Sequence, residues 1–225
     1  MFYLIGTSHI AKESFNKVKD MIESVKPDCV AVELDLNRFI ALQQQKRGKI
    51  KLPLFQKIII LLLQKIQDKL AKETGIFAGQ EMLEAIKYGR ENHSDIVFID
   101  QNINITISRL MNKLGFIEKT KLFFMLIFGF FGIPFWHKRI NQIDLNKIPD
   151  EEFIDFAVQE LKQNFPTIYN VLVKERDEYM ARQLKFLGEK YNSIIAVVGA
   201  GHVKGIKRIL NKYNNLKSLN SNYNS

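Results

Sequence analysis

One cysteine, Cys29, is all the thiol the 225-residue chain holds. An internal disulfide is therefore excluded, and a reducing compartment is the expectation. Cys29 stands between Asp28 and an apolar run, so it reads as a small buried strand residue rather than a nucleophile. Long hydrophobic runs are missing too: no stretch reaches the ~18 apolar residues of a spanning helix. Ile58 to Leu63 is closed off by Lys57 and Gln64. The Phe-rich stretch 122–135 comes nearest, and its length suits a buried helix. It is also the candidate for contact with a membrane surface or with a second copy in a homodimer. No secretory leader is expected, because Met1 runs straight into Phe2-Tyr3-Leu4-Ile5 without a basic segment. A cytoplasmic chain, with membrane association as a variant, is the resulting expectation.

The charge is lopsided but not patterned. Lys and Arg number 33 against 24 Asp and Glu, a formal charge of +9. The cations are mostly Lys and spread along the chain, and no nucleic-acid motif accompanies them, so nucleic acid is not an expected partner. At 46% apolar and 25% charged, the composition is that of a globular domain with a substantial core.

Phe2 to Ile5 reads as a buried strand ending at Gly6. A helix over Lys12 to Val25 carries Phe15, Val18, Met21, Ile22 and Val25 on one face. Cys29 to Leu34 is a second apolar strand. Such a strand–helix–strand unit, apolar throughout both strands, predicts a parallel sheet covered on both faces. Further helices are predicted over Asn37–Gln45, Leu54–Lys72, Gln80–Glu91, Ile105–Leu114, 116–142, Glu151–Asn164 and Ile168–Lys190. Further strands are predicted at Asp95–Ile99 and Ile194–Val198, the latter followed by a helix to about Lys212. The expected fold is α/β: a central, mostly parallel sheet with helices on both faces. One domain covers 1–213, with helix-rich insertions at about 46–92 and 110–190, and the Asn- and Ser-rich 214–225 is expected to be a flexible tail.

Chemistry gathers at the strand ends. Gly6-Thr7-Ser8-His9 follows the first strand and Gly199-Ala200-Gly201-His202 the last. Glycine allows the tight turn, and the next helix's first N–H groups favour anions. Glu33 closes the second strand and Asp100 the third. Ligands bind outside the carboxyl ends of an open parallel sheet, so His9, Glu33, Asp100 and His202 are aimed at one crevice. Two imidazoles with one or two carboxylates can hold a divalent ion that activates water. Without a metal, His and Glu can work as an acid–base pair. Arg38 and Arg109 are placed to clamp a substrate carboxylate or to pair with a structural acid. In Glu175-Arg176-Asp177, three adjacent helical charges point different ways, and one can turn inward. His93 and His137 sit in polar or mixed surroundings and are not read as ligands.

At these residues the chain resembles the TraB/PrgY pheromone-shutdown family and its Tiki and GumN relatives. The matching pieces are Gly6-Thr7-Ser8-His9-Ile10 with Glu13-Ser14, Pro27-Asp28 through Glu33-Leu34-Asp35 to Arg38, and Gly79-Gln80-Glu81-Met82 with Ala85-Ile86. Further pieces are Asp100 to Thr106 with Arg109, Glu175-Arg176-Asp177 with Tyr179-Met180-Ala181, and Val197-Val198-Gly199-Ala200-Gly201-His202-Val203 with Gly205-Ile206. They run in order over about 1–213. The resemblance implies a fold shared with the erythromycin-esterase/ChaN-like group. It also implies a metal-dependent peptidase site, carried by His9, Glu33 and His202 here. Relatives often have membrane helices after this domain, so this chain is expected to be a stand-alone or shortened form.

The expected activity is thus a metal-dependent hydrolase, most simply a peptidase, using Mn, Co or Zn. His9, Glu33 and His202 are the expected ligands, with Asp100 or Glu175 completing the set. Arg176, Arg38 or Arg109 would hold a substrate carboxylate, with Gly6, Gly199 and Gly201 lining its path. The alternative is a binder that sequesters a peptide or small molecule without cleaving it.

Overall fold

The computed structural model describes residues 1–7, 12–44, 79–121, 124 and 151–222. His9, the basic loop 46–51, the predicted helix 54–72, the apolar stretch 122–135 apart from Phe124, and His137 lie outside the described residues. Of the predicted helix 116–142, residues 116–121 are seen as helix.

The described strands form one parallel sheet: β1 (Phe2–Thr7), β2 (Cys29–Val32), β3 (Asp95–Phe98) and β4 (Ile194–Gly199), in the order β1-β4-β2-β3. The last strand is therefore an inner one. Ile194 to Gly199 pairs with Phe2 to Thr7 on one side, and Ile194 to Val197 with Cys29 to Val32 on the other.

Alternation along these strands feeds two cores. Val30, Val32, Ile195 and Val197 point to one face. They pack there with Val18 and Ile22 of α1 (Lys12–Val25), Phe39 of α2 (Leu36–Gln44) and Met82, Ala85 and Ile86 of α3 (Gln80–Glu91). Cys29, Ala31, Ile194, Ala196 and Val198 point to the other. Met180, Ala181 and Leu184 of α7 (Glu175–Lys190) and Ile206 of α8 (Ala200–Asn222) cover them. The chain moves one way across the sheet through α1, α2 and α3, then reverses to reach β4. Right-handed crossovers require the helices to change face at that reversal. Helices lie on both faces, as the all-apolar strands demand.

Between β3 and β4 run α4 (Ile103–Lys113), α5 (Glu151–Asn164), α6 (Pro166–Tyr169), a π-helical turn (Asn170–Lys174) and α7. Pro166 restarts the helix at its first position after the non-helical Phe165, where its missing N–H costs nothing. α8 runs past the expected end near Lys212 to Asn222. No glycine or proline lies between Ile206 and Asn222 to stop it.

Candidate functional site

β4 is flanked by two strands whose following helices leave on the opposite face from α8. That is the topological switch where a parallel sheet opens a crevice at its carboxyl edge. Glu33 sits at this mouth one residue past β2, with its backbone N–H still donating to the Val197 carbonyl at 3.0 Å. Asp100 follows β3, with its N–H donating to the Leu34 carbonyl at 3.2 Å. His202 is in the first turn of α8. Ladder bonds and a helix start, not loop side chains, hold all three.

Arg176 joins them. Its Nη2 donates to Glu33 Oε1. Its Nε and Nη2 form a fork on Asp100, at 2.9 Å to Oδ1 and 2.8 Å to Oδ2. Nη1 donates to the Leu172 carbonyl in the π-helical turn at 3.2 Å and lies 3.2 Å from His202 Nε2. π-helical turns recur at functional sites, and here the turn supplies an acceptor to the site's arginine. Arg38 Nη1 adds a bond to Asp100 Oδ2 at 3.1 Å. The second oxygen of Glu33 accepts the Gly199 N–H at 2.6 Å.

His202 is pinned from behind. Its Nδ1 lies 2.6 Å from Asp177 Oδ1, and its Nε2 lies 3.4 Å from Glu33 Oε1. An ionised Asp177 accepts from Nδ1–H and so fixes the ring's orientation. Gly205 makes room for Asp177: a methyl group there would overlap Oδ2.

These groups are almost dry. Glu33 and Asp177 are each 3% exposed, Asp100 6% and His202 8%. Burial raises the Asp177 carboxyl above its ordinary range, and the His202 hydrogen bond only partly offsets this. Burial works against the charge on Arg176, but Glu33 and Asp100 outweigh it and hold the guanidinium protonated. Among the described residues, Glu33, Asp100 and Asp177 are thus gathered with Arg38, Arg176 and His202 in one cluster. Burying charge is costly unless it is paired and hydrogen-bonded, as it is here.

The other expected site residues are placed as follows. Arg109 lies away from this cluster and pairs with Glu175 at 2.9 Å, as Lys113 does at 2.6 Å. Partial burial would raise the Glu175 carboxyl, but these two cations hold it below the usual range. Gly199 gives its N–H to Glu33. Gly201 is exposed, and a methyl there would meet Val158 at an ordinary contact distance of 3.9 Å. Gly6 packs closely on Val203 and Ala200. His93 is exposed just after α3. Two residues went unassigned in the sequence. Asp177 holds His202; its signal was the run of three helical charges, of which two turn inward rather than one. Asp35 caps two helices, accepting from Asn37 N at 2.9 Å and from Ile103 N at 3.2 Å. Its signal was an Asp directly before α2.

Could a divalent ion sit here? Among the described residues, no group of three or more His, Cys, Asp or Glu side chains is arranged to hold one. Two donors do converge, Glu33 Oε1 and His202 Nε2, 3.4 Å apart. Ligands ~2.0–2.2 Å from one tetrahedral ion stand about that far from each other. The Asp177–His202 pair is the carboxylate support that metal-bound imidazoles carry. The donor pair fits such an ion. Among the described residues no helix is long and apolar enough to cross a membrane.

The family model described as TraB/PrgY/gumN matches residues 1–216. An uncharacterized protein of Methanocaldococcus jannaschii is 41% identical over 225 residues, which is 95% of this chain and 54% of that protein. TraB domain-containing proteins of mouse and human are 25% and 24% identical, each over 92% of this chain and 61% of their own length. The chain thus spans between half and two thirds of the curated relatives it matches. By a match running from its first strand into its last helix, the chain belongs to the TraB/PrgY/gumN family.

Proposed function

We propose that this domain is a metal-dependent hydrolase of peptide-type substrates, with Glu33 and His202 as its water-activating pair. One observation carries the proposal. A buried imidazole, fixed at Nδ1 by Asp177, turns its Nε2 towards Glu33 Oε1 at 3.4 Å in the crevice at the strands' carboxyl ends. Side chains so dry and so costly to bury are retained where chemistry uses them. The family likeness supplies the peptide class.

His202 Nε2 and Glu33 Oε1 would hold the ion, with His9 as the expected third ligand. Bound there, a divalent ion would supply an acidified water and a polarised carbonyl. Asp177 keeps the imidazole in one tautomer and orientation. The Gly199 N–H holds one Glu33 oxygen, leaving Oε1 as the site-facing acceptor. Arg38 and Arg176, both on Asp100, are the groups that would take a substrate carboxylate in a planar fork. Burial removes competing water and strengthens each of these contacts.

The test is metal analysis of purified protein, then peptide hydrolysis followed by mass spectrometry with added Mn, Co or Zn. Cleavage that needs the ion and is lost in His202→Ala supports the proposal. Protein that binds no ion and leaves every peptide intact sinks it. A second reading, a binder that sequesters a peptide or small anion uncleaved, is favoured by one fact: Arg38, Arg109 and Arg176 are all already paired with the protein's own carboxylates. Peptide retained but intact would establish that reading instead.

A further inference from the structure

We infer that Arg176 is the site's own placeholder cation: its guanidinium and a divalent ion compete for the same two donor atoms, so the ion binds only when the arginine swings away. The inference rests on the ion-binding part of the function proposed above.

Three observations lead to it. The first is position. Arg176 touches both atoms that would hold an ion, donating from Nη2 to Glu33 Oε1 and placing Nη1 3.2 Å from His202 Nε2. Both atoms are thereby engaged by one planar group. The second is charge. A guanidinium and a divalent ion on the same buried oxygen repel each other closely, so the two exclude one another there. The third is access. The Arg176 side chain is 14% exposed, against 3% for Glu33 and 2% for Asp100. The arginine thus lies on the solvent side of the acids it covers, and it can leave without dismantling the sheet.

Arg176 therefore keeps the ion-free protein folded by neutralising acids that could not stay ionised and buried alone. It also lowers the apparent affinity for an ion, by the fraction of time the seat is free of guanidinium. This accounts for a cation at the centre of a site whose donors suit a metal. Displaced, the same fork becomes available to a substrate carboxylate.

The experiment is calorimetric titration of the full chain with Mn²⁺ and Zn²⁺, paired with thermal unfolding, for the parent, Arg176→Met and Glu33→Gln/Arg176→Met. Arg176→Met should unfold at lower temperature than the parent without ion. It should bind either ion about tenfold more tightly or better, meaning that the parent's seat is free about a tenth of the time or less. It should also recover more stability on ion addition, and the double variant should lose that gain. Equal affinity in parent and Arg176→Met would overturn the placeholder role while leaving ion binding intact. Binding by the variant alone would support the placeholder and remove the resident ion from the proposed function. No binding by either, or a gain that survives in the double variant, would overturn the inference. If Arg176→Met fails to fold, Arg176→Lys keeps a charge but loses the fork. It should bind the ion more tightly than the parent, and parent-like affinity would again overturn the inference.

Discussion

The two ends of the sheet handle charge in opposite ways. At the amino end, Asp28 is in the open and accepts from the backbone N–H groups of Asn192 and Ser193 at 3.0 and 2.8 Å. These bonds, led by the one from Ser193, hold its carboxyl below the ordinary range. Nearby, Lys190, Tyr191 and Asp95 form an exposed chain of hydrogen bonds. At the carboxyl end, Glu33, Asp100, Arg176, Asp177 and His202 are folded inward and satisfy one another. The amino end uses charge as stitching that water could replace. The carboxyl end encloses charge that only another charge can balance. Stability alone explains the first arrangement but gives no reason for the second.

The comparison can be broken by mutation. The largest contrast is in turnover. If hydrolysis is the function, His202→Gln should cost about 10²–10⁴-fold in kcat, while Asp28→Asn should leave kcat unchanged; mass-spectrometric peptide assays read both. Next is stability. Without added ion, Arg176→Met should lose about 3–5 kcal/mol in denaturant unfolding, because it strands buried carboxylates. Asp28→Asn should lose clearly less, and equal losses would erase the distinction between the ends. Smaller again is a contrast within α8. Gly205→Ala should cost about 1–3 kcal/mol by forcing Asp177 aside. Gly201→Ala, whose methyl would meet Val158 at ordinary contact distance, should be neutral or stabilising by about 0.4–1 kcal/mol. The smallest effect is a null one. Burial pushes the Cys29 thiol up to about 12, so iodoacetamide at pH 8 should not label it until the chain is unfolded.

Much of the carboxyl end was legible before any coordinates. Glu33 and Asp100 close apolar strands and His202 follows a Gly-rich turn, so the parallel-sheet rule alone sends all three to one edge. Structure was needed for what is not local. The β1-β4-β2-β3 order depends on pairings nearly two hundred residues apart, and no periodicity records them. Asp177 and Arg176 were visible as charges on a helix, but which of three neighbours turns inward depends on how α7 lies against α8. Arg109 took the second of the two roles its position allowed, pairing with an acid, Glu175.

The final strand's place in the sheet has a consequence for biosynthesis. β4 slots between β1 and β2, and His202 comes only three residues after it. A nascent chain emerging from the ribosome can build the β2–β3 half, but among the described strands β1 finds no neighbour until β4 is made. Until then two unzipped apolar edges await the same strand, the kind of exposure that invites wrong pairing and chaperone capture. Sheet and site must then close together, late and in one step.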